Sequence, residues 1–157
     1  METTREAAHK KLHDHTVSEL NQLLEKSYDA EKGYKNAIEN VESARLKRFF
    51  QERAAERSHF TTELHNELHQ LNEEPKTKGS VTGAIHRTWM DIKTSWTQEN
   101  EENILEECIR GEKASVEEYK EALKGETLLA EVVPIIKGQL SRIETTLNTV
   151  KRLEDLK

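Results

Sequence analysis

Leu23-Leu24-Glu25-Lys26-Ser27-Tyr28-Asp29-Ala30-Glu31-Lys32 is echoed 81 residues later by Ile104-Leu105-Glu106-Glu107-Cys108-Ile109-Arg110-Gly111-Glu112-Lys113. In both copies a glutamate, Glu31 or Glu112, falls where helical spacing calls for an apolar residue. Around the first copy, Leu20, Leu24, Ser27, Glu31, Tyr34, Ile38 and Val41 alternate at spacings of four and three, which is one stripe along a helix. Two related helices, each carrying a carboxylate inward, are a starting point for a bundle metal site or for a buried ion network.

Working outward, a capping box at Thr16-Val17-Ser18-Glu19 predicts the start of this first helix. The polar residues 1–15, with His9, His13 and His15, are expected to form a flexible N-terminal arm ahead of a bundle over 16–157. A second helix is expected over Ser43–Leu71, with the stripe Leu46, Phe49/Phe50, Phe60, Leu64, Leu68 and Leu71 interrupted by Arg53 and Arg57. Pro75 and Gly79 break it. Ser80 opens a shorter helix bearing Val81, Ile85, Trp89, Ile92 and Trp96. A third helix starts near Glu101 and stops at Gly125. The fourth carries Leu129, Val132/Val133, Ile136, Leu140, Ile143, Leu147 and Val150, and should begin or kink at Pro134. Two helical hairpins joined by a long helical crossover make an all-α, ferritin-like four-helix bundle.

Composition agrees. The 157 residues suit one domain, and 34% hydrophobic against 34% charged residues, with 6 Gly and 2 Pro, favour helices. A net charge of -6 argues against general nucleic-acid affinity, which needs a basic face for phosphates. The lone Cys108 excludes an internal disulfide, and no apolar run has the length of a membrane span, so a soluble, cytoplasmic protein with no membrane partner is expected.

The stretch from Val17 to Asp155 resembles an uncharacterised bacterial family of ferritin-like four-helix bundles, a domain of unknown function. The resemblance rests on Glu31-Lys32-Gly33-Tyr34, on Arg53-Ala54-Ala55-Glu56-Arg57, on Arg110-Gly111-Glu112, and most of all on the motif Gly79, Gly83, His86, Arg87 and Trp89. It implies the fold and no activity.

Two site readings compete. A di-iron centre takes one glutamate from each of two helices and Glu-x-x-His from each of the others. Glu31 and Glu112 suit the first role, and Glu56 with His59 supplies one pair for iron or manganese. The fourth helix offers Gln139 and Arg142 at the corresponding positions, so half the ligand set is missing. The favoured expectation is therefore a structural network of Glu31, Arg53, Arg57 and Glu112, with no catalytic residue and no cofactor.

His65 and His69 are expected on a solvated face, His86 in crossover packing, and Cys108 as a buried small residue. Nucleophile-elbow, phosphate-loop, zinc-finger and dinucleotide patterns do not occur. These readings favour a non-enzymatic bundle acting through protein contacts, as a homodimer or with another protein, for example in a stress response. Trp89, Ile92 and Trp96 are its candidate contact face. Small-ligand binding near Tyr34 and Tyr119 is a third possibility.

Overall fold

A computed structural model describes residues 3–76 and 101–156. Four long helices dominate: α1 (Thr4–Glu39), α2 (Ala44–Gln70), α3 (Glu101–Leu123) and α4 (Val133–Thr149). Among the described residues there is no strand. The expected short helix and the Gly79, Gly83, His86, Arg87 and Trp89 motif lie outside these residues, as do Ile92 and Trp96.

α1 begins well before Thr16. Thr3 is the N-cap, its hydroxyl accepting from the Glu6 amide at 3.1 Å while the Glu6 carboxylate accepts from the Thr3 amide at 2.9 Å. The reciprocal box satisfies two free N–H groups, so the polar residues 4–15 continue the helix. Thr16 instead sits mid-helix and is fully buried. Its hydroxyl donates to the Leu12 carbonyl (2.8 Å) and accepts the Leu129 amide (3.0 Å), tying α1 to the segment before α4. A Thr-x-x-Glu pattern cannot by itself separate a cap from such a tie.

Ser43 caps α2, and Gly125 at φ 78° ends the α3 turn in a conformation that suits a residue without Cβ. Pro134 lies in the first turn of α4, where its missing N–H costs no helical bond. The short α1–α2 connection makes these helices an antiparallel pair, and α3 and α4 form the second. α1 also packs on α3. The Glu101 carboxylate at the start of α3 accepts the amides of Glu42 and Ser43 at 2.8 and 3.1 Å, and so holds the α1–α2 turn.

The apolar stripes meet in two compartments. One gathers Ala30, Tyr34, Ala37, Val41, Leu46, Phe50, Ile104, Leu105 and Cys108. The other gathers Leu20, Leu24, Phe60, Leu64, Leu68, Val116, Tyr119, Ile136 and Ile143. α1 serves two neighbours, so its buried face is wider than the narrow stripe in the sequence. Leu23, Ala30 and Ala37 are buried, whereas Glu31 and Ile38 lie half-buried at the edge. Leu64 is completely enclosed. Leu64→Ala is expected to cost about 2–5 kcal/mol of unfolding free energy in urea titrations, through lost burial and the cavity left behind.

Candidate functional site

Between the two apolar compartments lies a polar layer. Its centre is Arg57, 2% exposed on α2, facing Glu112, 5% exposed on α3. The Arg57 Nη2 group donates to both Glu112 carboxylate oxygens at 2.9 Å. Tyr34 on α1 donates its hydroxyl to Glu112 Oε1 at 2.7 Å. Three helices therefore converge on one carboxylate, and the guanidinium also lies 5.7 Å from the centre of the Phe60 ring. Burial would lower the Arg57 pKa, but Glu112 and the phenols of Tyr119 and Tyr34 outweigh it and push it upward. Burial raises the Tyr34 pKa, and the adjacent Glu112 charge adds to it.

A second arm runs from α3 to α4 and back to α2. Tyr119 donates to Gln139 Oε1 at 2.6 Å, and the Gln139 amide nitrogen reaches Glu63 at 3.2 Å and the Phe60 carbonyl at 3.4 Å. The Tyr119 phenol is pushed up to about 12, chiefly by burial, with Arg57 pulling the other way. Ser27 sits in the same layer near enough to favour the phenolate, yet its hydroxyl makes no hydrogen bond of acceptable geometry.

The four residues considered as metal ligands each have a different partner. Glu31 meets Lys35 at 2.7 Å, Glu56 meets Arg53 at 2.9 Å, His59 approaches Glu63 at 3.8 Å, and Glu112 meets Arg57. Among the described residues no group of three or more His, Cys, Asp or Glu side chains converges as metal ligands would. The donor set does not fit a carboxylate-bridged metal pair, because Glu112 is already engaged by a guanidinium and a phenol.

Of the expected ion network, Arg57 and Glu112 come together. Glu31 and Arg53 do not join them. Glu31 lies at the edge of α1, where its long side chain reaches out to Lys35 in the next turn. Arg53 points toward α4 and donates to Thr146 at 2.7 Å as well as to Glu56.

His65 is half-buried, bonded to the Tyr28 hydroxyl at 2.8 Å and edge-on to His69, so it joins α2 to α1 instead of facing only solvent. Cys108 is buried in the apolar compartment, and burial, then Glu112 and Glu107, raises its pKa.

The family described as a domain of unknown function (DUF2383) matches residues 15–125. The chain belongs to this family. The matched span carries Tyr34, Arg57, Glu112 and Tyr119, and stops before Gln139. No curated protein matches the chain.

Sequence spacing gave no sign of Asp29. Both its carboxylate oxygens are buried without a hydrogen-bond partner. Its pKa is pushed up to about 7, first by burial and then by Glu25, with Lys32 opposing and Glu118 adding a further upward push. It sits off the apolar stripe, in a position that periodicity assigns to solvent.

Two outcomes follow from this layer. Arg57→Met or Glu112→Gln alone should each cost about 3–5 kcal/mol, since either leaves a buried charge without its partner. The double variant should lose less than either single one in urea unfolding, and losses that simply add would show that the two groups act independently.

For Asp29, the folded pKa lies above the unfolded value of 3.8, so its contribution to stability is full below about pH 4 and lost as pH rises through 7. Asp29→Asn should therefore stabilise the protein by about 1–3 kcal/mol at pH 8 and change little at pH 4, read as thermal melting at the two pH values.

Proposed function

We propose that this chain is a ferritin-like four-helix bundle without catalytic chemistry, acting through protein contacts as a homodimer. The observation that carries the first part is the closure of the polar layer. The Glu112 carboxylate, the most deeply placed acid in the layer, already accepts from Arg57 and Tyr34. The neighbouring Tyr119 phenol is committed to Gln139. Groups so engaged hold helices in register and leave no open position for a substrate or an ion.

The ferritin-like reading is supported by the order of two helical pairs joined through the long connection after Lys76, the arrangement of that bundle class. The contact reading draws on Trp89, Ile92 and Trp96, three large apolar residues at helical spacing within one short stretch of sequence. Among the described residues, no helix is long and apolar enough to cross a membrane.

The test combines elemental analysis with sedimentation. Protein purified without chelator or affinity tag should carry only substoichiometric iron, manganese or zinc, and should not accelerate Fe(II) oxidation in air. It should sediment as a dimer that Trp89→Ala weakens. Stoichiometric metal that is lost in Glu112→Gln would overturn the closed-layer reading, and a monomer at high concentration would overturn the dimer.

A further inference from the structure

The start of α2, the end of α4 and the segment 150–156 enclose a cleft of about 470 Å³ that belongs to neither arm of the polar layer. Its size falls within the range of about 300–1,000 Å³ usual for small-molecule sites. Phe49, Val150 and Leu156 form its apolar wall, and all three belong to or pack on the adjoining core compartment. Above that wall stand three arginines of one α2 face, Arg45, Arg48 and Arg53.

The three guanidiniums are in different states. Arg53 is fixed in place: Nη1 bonds Glu56 and Thr146, and the group lies 5.6 Å from the centre of the Phe49 ring. Among the described residues Arg45 bonds the Leu156 carbonyl, at 3.2 Å, which holds the closing segment. Arg48 makes no ion pair with an acidic side chain among the described residues. Two acids also line the cleft. Asp155 is turned to the Lys151 and Arg152 amides, at 2.8 and 3.1 Å, and Glu52 is exposed. Three guanidiniums line the cleft with two carboxylates, and Glu56 pairs with the third guanidinium, so the charges there balance. Glu56 compensates Arg53, so Arg45 and Arg48 are the guanidiniums of the cleft without an ion-pair partner among the described residues.

We propose that this cleft binds a small amphipathic carboxylate. Its apolar chain lies against Phe49, Val150 and Leu156, and its head group meets Arg48, with Arg45 and Arg53 on either side. A single carboxylate suits the forked geometry of the Arg48 guanidinium, which has no ion-pair partner among the described residues, whereas a doubly charged phosphate would meet Glu52 and Asp155 more unfavourably. The partly fixed Arg53 lowers the ordering cost of binding. The site is independent of the closed polar layer, so it stands or falls apart from the reading of that layer.

Calorimetric titration of the full chain with octanoate and with octanol tests it. Octanoate should bind with a stoichiometry of one, and octanol about ten-fold more weakly. Arg48→Glu, a change at an exposed position, should weaken octanoate about ten-fold or more and remove its advantage over octanol. Lys137→Glu is the control, because it alters a separate apolar groove lined by Leu128, Val133 and Pro134. It should leave octanoate binding unchanged. The proposal is overturned if octanoate fails to bind, if octanol binds as well, if Arg48→Glu has no effect, or if Lys137→Glu abolishes binding. Displacement of octanoate by inorganic phosphate at equal concentration would also overturn it, by removing any role for the apolar wall.

Discussion

The contact between Arg57 and Glu112 constrains the rest of the bundle. Each group is almost wholly removed from water, which in isolation carries a penalty of several kcal/mol. Their mutual contact, with the Tyr34 hydroxyl as third member, offsets that penalty. The bundle must therefore hold α1, α2 and α3 within hydrogen-bond tolerance of one point. A shift of one helix by a single turn would move one of these groups about 5.4 Å and leave the others unmatched. Apolar side chains tolerate sliding much better, so the polar layer is what makes one alignment of the stripes preferable to the next.

The layer also divides the interior. Aromatic and aliphatic side chains on one side reach from Ala30 to Ile104, and on the other from Leu20 to Ile136. Arg57 lies against Phe60 of the second compartment, and the Tyr34 ring packs on Phe50 of the first, at 5.9 Å between centres. The same residues that satisfy the buried charge thus also knit the two compartments together. Asp29 is the contrasting case, a buried carboxylate with no partner to offset its desolvation, and its raised pKa is the direct consequence. Among the buried acids of the described residues, Glu112 is matched and Asp29 is not, and both lie within reach of α3.

Much of the helical plan was legible in the sequence, because periodicity reports the buried face of a long helix directly. The bounds of α2 and α3, the Gly125 stop and the Pro134 start follow from local rules that the structure obeys. The start of α1 was not legible at Thr16, since a hydroxyl followed three residues later by glutamate serves a tertiary bond as readily as a cap. The inward faces of Arg57 and Glu112 follow from their place in the stripes. The separate fate of Glu31 does not, because a residue at the stripe's edge reaches solvent or core according to how its helix is rotated between two neighbours. Asp29 was invisible for a related reason. Burial off the stripe comes from what is laid over a helix, and one helix's periodicity carries no record of that.

The polar layer joins residues that are far apart in the chain, 55 positions between Arg57 and Glu112 and 78 between Tyr34 and Glu112. The α1–α2 hairpin, by contrast, closes through a short turn and needs no distant partner. Local hairpins form ahead of contacts that must first close a long loop. Before the second hairpin docks, the face of α2 that carries Arg57 is open to water, which solvates the guanidinium in place of Glu112. Docking that hairpin out of register would bury Arg57 without its carboxylate, at a cost of several kcal/mol. The ion pair thus sets an energetic penalty on every packing of the two halves of the chain except the aligned one.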